Sequence, residues 1–333
     1  MSYCSSPTCI APFTSPAITP DGFKICSHPG QPSYPDLSFW NSDELVEMRR
    51  QISRGEIPDS CRECRSTREG VLVGIPPKDV DYVPVNFKYL YLARSNKCDL
   101  ACEMCSSTIS HSYDKKYNDG KCGIIENDFD LSPYLPDTTH VAISGGNPVL
   151  DKKVLEIIDA LEPSKVEHFI FTSNGSVFPD SFVDAIADKE WGCNPTLIFS
   201  IDGPKAINEV VRFGAKQERI YKTIDETMNK VRGRNVDVML EYTATNKTVT
   251  SLVEFYQEAI FSLSPENLEN VGFFLNECGS PANLSLANIT SSQYDHLVNV
   301  SIPYFHAQRT KLARMILGGL MKIVREVQFN III

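Results

Sequence analysis

Three cysteines, Cys98, Cys102 and Cys105, lie inside Ser95-Asn96-Lys97-Cys98-Asp99-Leu100-Ala101-Cys102-Glu103-Met104-Cys105-Ser106 and make a C-x₃-C-x₂-C triplet. Thiolates are the usual ligands of cubane iron–sulfur clusters, and a cubane holds four irons. Three closely spaced cysteines bind three of them and leave one iron open to another ligand. Structural zinc usually takes four protein ligands, arranged as two close pairs, so the triplet fits zinc poorly.

A second cysteine set precedes the first. Cys9 and Cys26 flank Pro20-Asp21-Gly22, a turn in which Pro presets φ and Gly tolerates positive φ. Cys61-Arg62-Glu63-Cys64 is a C-x₂-C pair. A hairpin brings its ends together and C-x₂-C clamps one centre, so Cys9, Cys26, Cys61 and Cys64 suit either a closed [4Fe–4S] cluster or structural zinc. Cys4 is an alternative to Cys9. Cys122, Cys193 and Cys278 are scattered and are expected as buried small hydrophobes. The six histidines show no ligand spacing.

Eleven cysteines in 333 residues is an odd count in a long chain. No charged start followed by an apolar block opens the sequence, so metal binding in a reducing, cytoplasmic setting is expected rather than a disulfide framework. Lys and Arg number 32 against 42 Asp and Glu, a net charge of −10. That balance argues against nucleic acid or anionic lipid as partner. No stretch approaches the roughly 18 apolar residues of a membrane span.

The elements that must hold these cysteines differ along the chain. Residues 1–84 are dense in proline, with Pro7, Pro12, Pro16, Pro20, Pro29, Pro32 and Pro35, and carry five cysteines. A β-hairpin about Pro20-Asp21-Gly22 and a helix over 43–54 are expected there, the helix capped by Ser42 and ended at Gly55. From residue 87, β-rich runs recur at Phe87–Ala93, His140–Ser144, His168–Thr172, Thr196–Ile201, Asp237–Thr243 and Val271–Leu275. Helical stretches at Lys153–Leu161, Ser181–Lys189, Glu218–Val231 and Ser251–Leu263 separate most of them. Alternation of this kind implies βαβ units and a parallel sheet. The fold expected is α/β, a partial (β/α)₆ TIM-like barrel over 85–280. A small Cys-rich hairpin and helix module with its linker (1–84) precedes it, and a helical segment (281–333) follows. The triplet then sits in the loop leaving the first strand, at the face where barrel sites assemble.

The triplet and the six-stranded pattern together resemble the radical S-adenosylmethionine superfamily. In that family the cofactor's amine and carboxylate chelate the open iron, and electron transfer releases a 5′-deoxyadenosyl radical that abstracts hydrogen from the substrate. Strand two ends in Ser144-Gly145-Gly146-Asn147-Pro148, similar to the family's Gly-Gly-Glu-Pro, whose acid accepts from the cofactor ammonium. Asn147 replaces that acid, and its amide oxygen could still accept. Thr172-Ser173-Asn174-Gly175 and Ser200-Ile201-Asp202-Gly203 resemble elements that meet the methionyl and ribose portions, and Arg212 is placed like an arginine that pairs with the cofactor carboxylate. The resemblance thus implies cofactor contacts at Gly145, Gly146, Asn147, Ser173, Asn174, Ser200, Asp202 and Arg212. Residues 8–70 resemble the twitch (SPASM-like) auxiliary-cluster module, here ahead of the barrel. A second [4Fe–4S] cluster serving oxidoreductase chemistry, a flavodoxin or ferredoxin as reductant, and a peptide or small-molecule substrate are what this implies. Glu241, Tyr242, Asn276 and Glu277 are expected to point toward the substrate pocket. The alternative is a non-catalytic iron–sulfur or zinc protein, for electron transfer or scaffolding, on a degenerate barrel.

Overall fold

The computed structural model describes residues 8–28, 31–61, 73–77, 81–278 and 281–331. Its strands are β1 (Thr8–Cys9), β2 (Ala17–Thr19), β3 (Gly22–Lys24), β4 (Val73–Gly74), β5 (Tyr89–Leu92), β6 (Ala101–Cys102), β7 (His140–Ile143), β8 (His168–Ser173), β9 (Thr196–Ser200), β10 (Arg212–Phe213), β11 (Asp237–Ala244) and β12 (Gly272–Glu277). Its helices are α1 (Ala11–Thr14), α2 (Asp43–Ser53), α3 (His111–Tyr117), α4 (Lys152–Ala160), α5 (Asp180–Ala187), α6 (Lys205–Val211), α7 (Gln217–Val231), α8 (Leu252–Ser262), α9 (Pro265–Asn270), α10 (Ser291–His296), α11 (Ile302–Ala307) and α12 (Lys311–Ile331).

One eight-stranded sheet runs β12-β11-β9-β8-β7-β5-β2-β3. The pairs from β12 to β2 are parallel, and only the β2–β3 hairpin pair is antiparallel. From β5 to β12 each new strand is added on the same side, which is the winding of a barrel rather than of a sheet that reverses midway. β3 and β12 end the sheet, so the six-stranded barrel is open.

The strands alternate with period two. Leu90, Leu92, Val141, Ile143, Phe169, Phe171, Leu197, Phe199, Leu240 and Tyr242 are buried under the helices. Their neighbours Tyr91, Ala142, Ile170, Thr172, Glu241 and Thr243 are only half-buried on the concave face. A barrel filled by its own side chains would bury both sets. This one is filled less completely on its concave face, where of these strands β9 alone buries its residues, Ile198 and Ser200.

The helices follow local rules. Ser42 Oγ accepts from Leu45 N at 3.4 Å to start α2, with Asp43 and Glu44 in the first turn and Arg50 in the last, favourable to the helix dipole. Gly55 follows at φ 79°, a conformation that terminates a helix cheaply only for glycine. α12 buries Leu312, Ile316, Leu320, Ile323 and Val327 at helical spacing. It lies close to β12: a Cβ on Gly319 would stand 2.7 Å from Leu275 Cβ.

The hairpin expected near the start is present as β2–β3, with Thr19 opposite Gly22, but it belongs to the main sheet through Ile18 opposite Leu92. Asn127 fastens it from the barrel side, its Nδ2 donating to Gly22 O at 2.8 Å and Thr19 O at 3.1 Å. Arg49 pins α2 beneath α1. It is wholly buried, and it donates to Pro12 O at 2.6 Å, Trp40 O at 2.7 Å and Asn41 Oδ1 at 3.0 Å. Burial without a carboxylate partner lowers its guanidinium to about 10.

Candidate cluster and cofactor site

The loop after β5 is held from several directions. Asn96, fully buried, accepts from Ile125 N at 2.8 Å and donates to Gly123 O at 2.9 Å and Ser107 O at 3.1 Å. Ser110 caps α3 by accepting from Tyr113 N, and its hydroxyl donates to Leu100 O at 2.7 Å. Ser112 Oγ donates to Cys98 O at 2.6 Å, while Cys98 N donates to His111 Nδ1 at 3.1 Å. Sequence reasoning missed these four residues; Ser110, His111 and Ser112 are signalled only by the Ser-His-Ser run that starts a helix beside the triplet, and Asn96 by nothing but its place two residues before Cys98.

Cys98 and Cys102 are buried and Cys105 is half-buried. Burial raises all three thiols, Cys105 to about 11 and Cys102 further. Arg212 pulls Cys102 and Cys105 back toward ionisation, and the thiols raise one another by their mutual charge. Cys105 N donates to Cys102 O at 3.0 Å, so the last two cysteines of the triplet share one turn. Among the described residues no group of three or more His, Cys, Asp or Glu could hold a single metal ion. A cubane takes its thiolates at separate iron corners. The chemistry of the donor set suits such a cluster: three soft thiols on one loop, which lose their protons when metal binds.

The end of β7 is threaded against this loop. Gly146 N donates to Ser95 O at 3.2 Å and Asn147 N to Lys97 O at 2.7 Å. A Cβ on Gly146 would come within 2.1 Å of Lys97 O, so only glycine allows the approach. Gly145 sits at φ 111°, in the region that favours glycine.

Asn147 is buried, and its side chain faces a polar network. Its Oδ1 accepts from Ser173 Oγ at 3.0 Å. Its Nδ2 donates to Asn174 Oδ1 at 3.0 Å, to Ser176 Oγ at 3.3 Å and to Asp99 Oδ1 at 3.3 Å. Asn174 Nδ2 in turn donates to Asp99 Oδ1 at 2.9 Å and lies 3.7 Å from Cys98 Sγ. Asn147, Ser173 and Asn174 are thus brought together, with Asp99 as the acceptor that Asn147 and Asn174 share.

Arg212 is buried rather than a surface charge, and it stands opposite Cys102 in the two-stranded ribbon β6–β10. Its Nε donates to Asp202 Oδ2 at 2.6 Å, and its Nη1 lies 3.8 Å from Cys102 Sγ. Asp202, fully buried, also accepts from Thr243 N at 2.7 Å. Its carboxylate is therefore occupied in orienting Arg212.

Ser200 and Glu241 face each other across β9 and β11, where Ser200 Oγ donates to Glu241 Oε2 at 3.2 Å. Asn276 Nδ2 donates to Glu241 Oε1, also at 3.2 Å. Burial raises the Glu241 carboxyl, against a smaller opposing pull from Arg212. Tyr91 bonds Ser144 Oγ at 3.0 Å; burial raises its phenol, and Cys26 and Glu241 raise it further by charge. Tyr242 is a correction. It lies on the helix side of the sheet, fully buried, with its hydroxyl donating to Thr248 O at 2.6 Å. A strand turns successive side chains to opposite faces, so Glu241 and Tyr242 cannot both face the pocket.

Of the other cysteines, Cys9 lies in β1 opposite Val73, and Cys61 ends a short 3₁₀ turn with Gln31 Nε2 at 4.0 Å. Cys64 and Cys4 fall outside the described residues. Cys278 is buried as expected and Cys193 half-buried, but Cys122 is exposed. It sits in the turn after α3, where its N–H donates to Asp114 Oδ2 at 2.9 Å and the thiol has no core to enter. No helix among the described residues is long and apolar enough to cross a membrane.

No protein-family model and no curated protein matches the chain. Solved structures do. Native anSMEcpe with bound AdoMet and Kp18Cys peptide aligns at 18% identity and a TM-score of 0.43, over 64% of this chain and 59% of that one. Streptococcus suis SuiB bound to S-adenosylmethionine aligns at 15% identity and a TM-score of 0.41, over 66% of this chain and 47% of its own. SuiB bound to precursor peptide SuiA aligns at 16% and 0.42, over 66% and 46%. The likeness is one of fold outline. The chain spans less than two thirds of each of these proteins.

Proposed function

We propose that the chain is a radical S-adenosylmethionine enzyme acting on a peptide or small molecule. The observation that supports the reading is the place of Cys98, Cys102 and Cys105 on one loop at the C-terminal end of a singly wound parallel sheet, with Gly146 and Asn147 hydrogen-bonded to that loop. When bound, a [4Fe–4S] cluster would supply the electron that cleaves S-adenosylmethionine to methionine and a 5′-deoxyadenosyl radical able to take hydrogen from a substrate.

The chain's own residues have definable parts. Cys98, Cys102 and Cys105 would hold the cluster. Gly145 and Gly146 let a ligand approach the backbone, and Ser173 and Asn174 fix the polar wall beside it. Asp202 aims the Arg212 guanidinium, whose planar fork suits a carboxylate. Tyr91, Ser200, Glu241 and Asn276 line the concave face where substrate would lie. The second cysteine set, Cys9, Cys26, Cys61 and Cys64, would hold an auxiliary cluster of twitch type. Flavodoxin or ferredoxin would serve as reductant.

The test is to incubate the anaerobically reconstituted, reduced protein with S-adenosylmethionine and measure 5′-deoxyadenosine and methionine. Equal amounts of both are expected. Their absence across several reductants, with the cluster verified, would remove the enzyme reading.

A further inference from the structure

Around the cysteine loop, several described cations are paired with carboxylates, while Lys116 stands over the Phe213 ring at 3.0 Å from its centroid. Lys97 Nζ lies 2.6 Å from Glu126, Arg212 Nε 2.6 Å from Asp202 and Lys247 Nζ 2.6 Å from Glu103. Arg94 Nε stands 3.0 Å from Asp151, in charge contact though off-line for a hydrogen bond. Asp99 differs. It is exposed although Cys98 and Leu100 on either side of it are buried. Among the described residues its side chain accepts only from neutral amides, Asn174 Nδ2 and Asn147 Nδ2, and both fall on Oδ1. Those amides are themselves fixed, Asn174 by Ser176 N at 2.9 Å and Asn147 by Ser173 Oγ. One carboxylate oxygen is thus immobilised by an amide that also reaches Cys98 Sγ at 3.7 Å, and Oδ2, with no hydrogen bond among the described residues, is left open.

We infer that Asp99 Oδ2 accepts from an N–H of the cofactor's amino group, and that Asn147 is a positioning residue holding the Asp99 carboxylate in place. The inference rests on the cofactor reading above. Asn147 is poorly suited to accept that N–H itself: its oxygen already accepts from Ser173, and its nitrogen is a donor. A carboxylate held by two amides is pre-oriented, and a hydrogen bond to an ionised acceptor is about twice as strong as a neutral one.

Binding to anaerobically reconstituted protein, counted per loaded cluster by equilibrium dialysis, tests this. The probes are S-adenosylmethionine and methylthioadenosine, which lacks both the amine and the carboxylate. Asp99→Asn should bind S-adenosylmethionine about tenfold or more weakly and methylthioadenosine as wild type does. The swap Asp99→Asn with Asn147→Asp moves the carboxylate across one hydrogen bond and should bind S-adenosylmethionine within about threefold of wild type. Equal S-adenosylmethionine binding by wild type and Asp99→Asn overturns the inference. Should Asp99→Asn fail to load a cluster, the swap variant decides alone, and loss of binding in a loaded swap overturns it. If loaded wild type binds no S-adenosylmethionine, the cofactor reading falls first and this inference with it.

Discussion

Arg212 and Cys102 face each other across a two-residue antiparallel ribbon, and the guanidinium that reaches the Cys102 sulfur at 3.8 Å is aimed by Asp202 at 2.6 Å. A buried ion pair is costly to break from one side, because the surviving charge is left without a partner. Arg212→Met should therefore destabilise the metal-free protein by about 3–5 kcal/mol, read by urea unfolding. Arg212→Met with Asp202→Asn should recover most of the loss. Additive losses in the double variant would show that the pair is not coupled.

The triplet's claim to iron is tested one sulfur at a time. Cys98→Ala, Cys102→Ala and Cys105→Ala should each lose about four irons per chain by chemical analysis of reconstituted protein. Cys122→Ala, in an exposed turn, should lose none. Four irons surviving in the triplet variants, and lost in Cys9→Ala, Cys26→Ala or Cys61→Ala, would establish the auxiliary cluster.

Gly146→Ala places a methyl group 2.1 Å from the Lys97 carbonyl, against backbone that cannot swing aside. The loop must shift, at a cost of about 3 kcal/mol by the usual range for overpacking. A matching fall in thermal stability and reduced iron loading are expected. A variant with unchanged Tm and full loading would refute the close approach.

Glu241 sets a pH dependence. Its carboxyl is raised in the folded state, chiefly by burial, so the native protein binds more protons there than the unfolded chain. Its contribution to stability is fully present below the ordinary glutamate value of about 4.3 and is lost as pH rises through the raised one. Glu241→Gln should match wild type in acid and melt higher than wild type near neutral and alkaline pH. Parallel Tm curves across that window would show that Glu241 ionises there as an exposed glutamate does.

Much of this was legible from residue order. The strand and helix runs follow from period and capping, and Ser42, Gly55 and Pro20-Asp21-Gly22 mark their ends by local sterics. The triplet's place after the first strand followed from its position in that alternation. Other features were not legible because they depend on contacts between distant segments. Asp99 reads as an ordinary residue between two cysteines until Asn147 and Asn174, 48 and 75 residues away, donate to it. Asp202 reads as a ligand group until Arg212 folds back onto it. The hairpin reads as a separate module until Ile18 pairs with Leu92 and lengthens the sheet.

Sequence by itself determined which atoms could bind metal and which segments would be strands, since thiol spacing and hydrophobic period are local properties. Tertiary structure decided which charges are spent on one another and which remain for a ligand. Burial and pairing are set only when segments far apart in the chain meet.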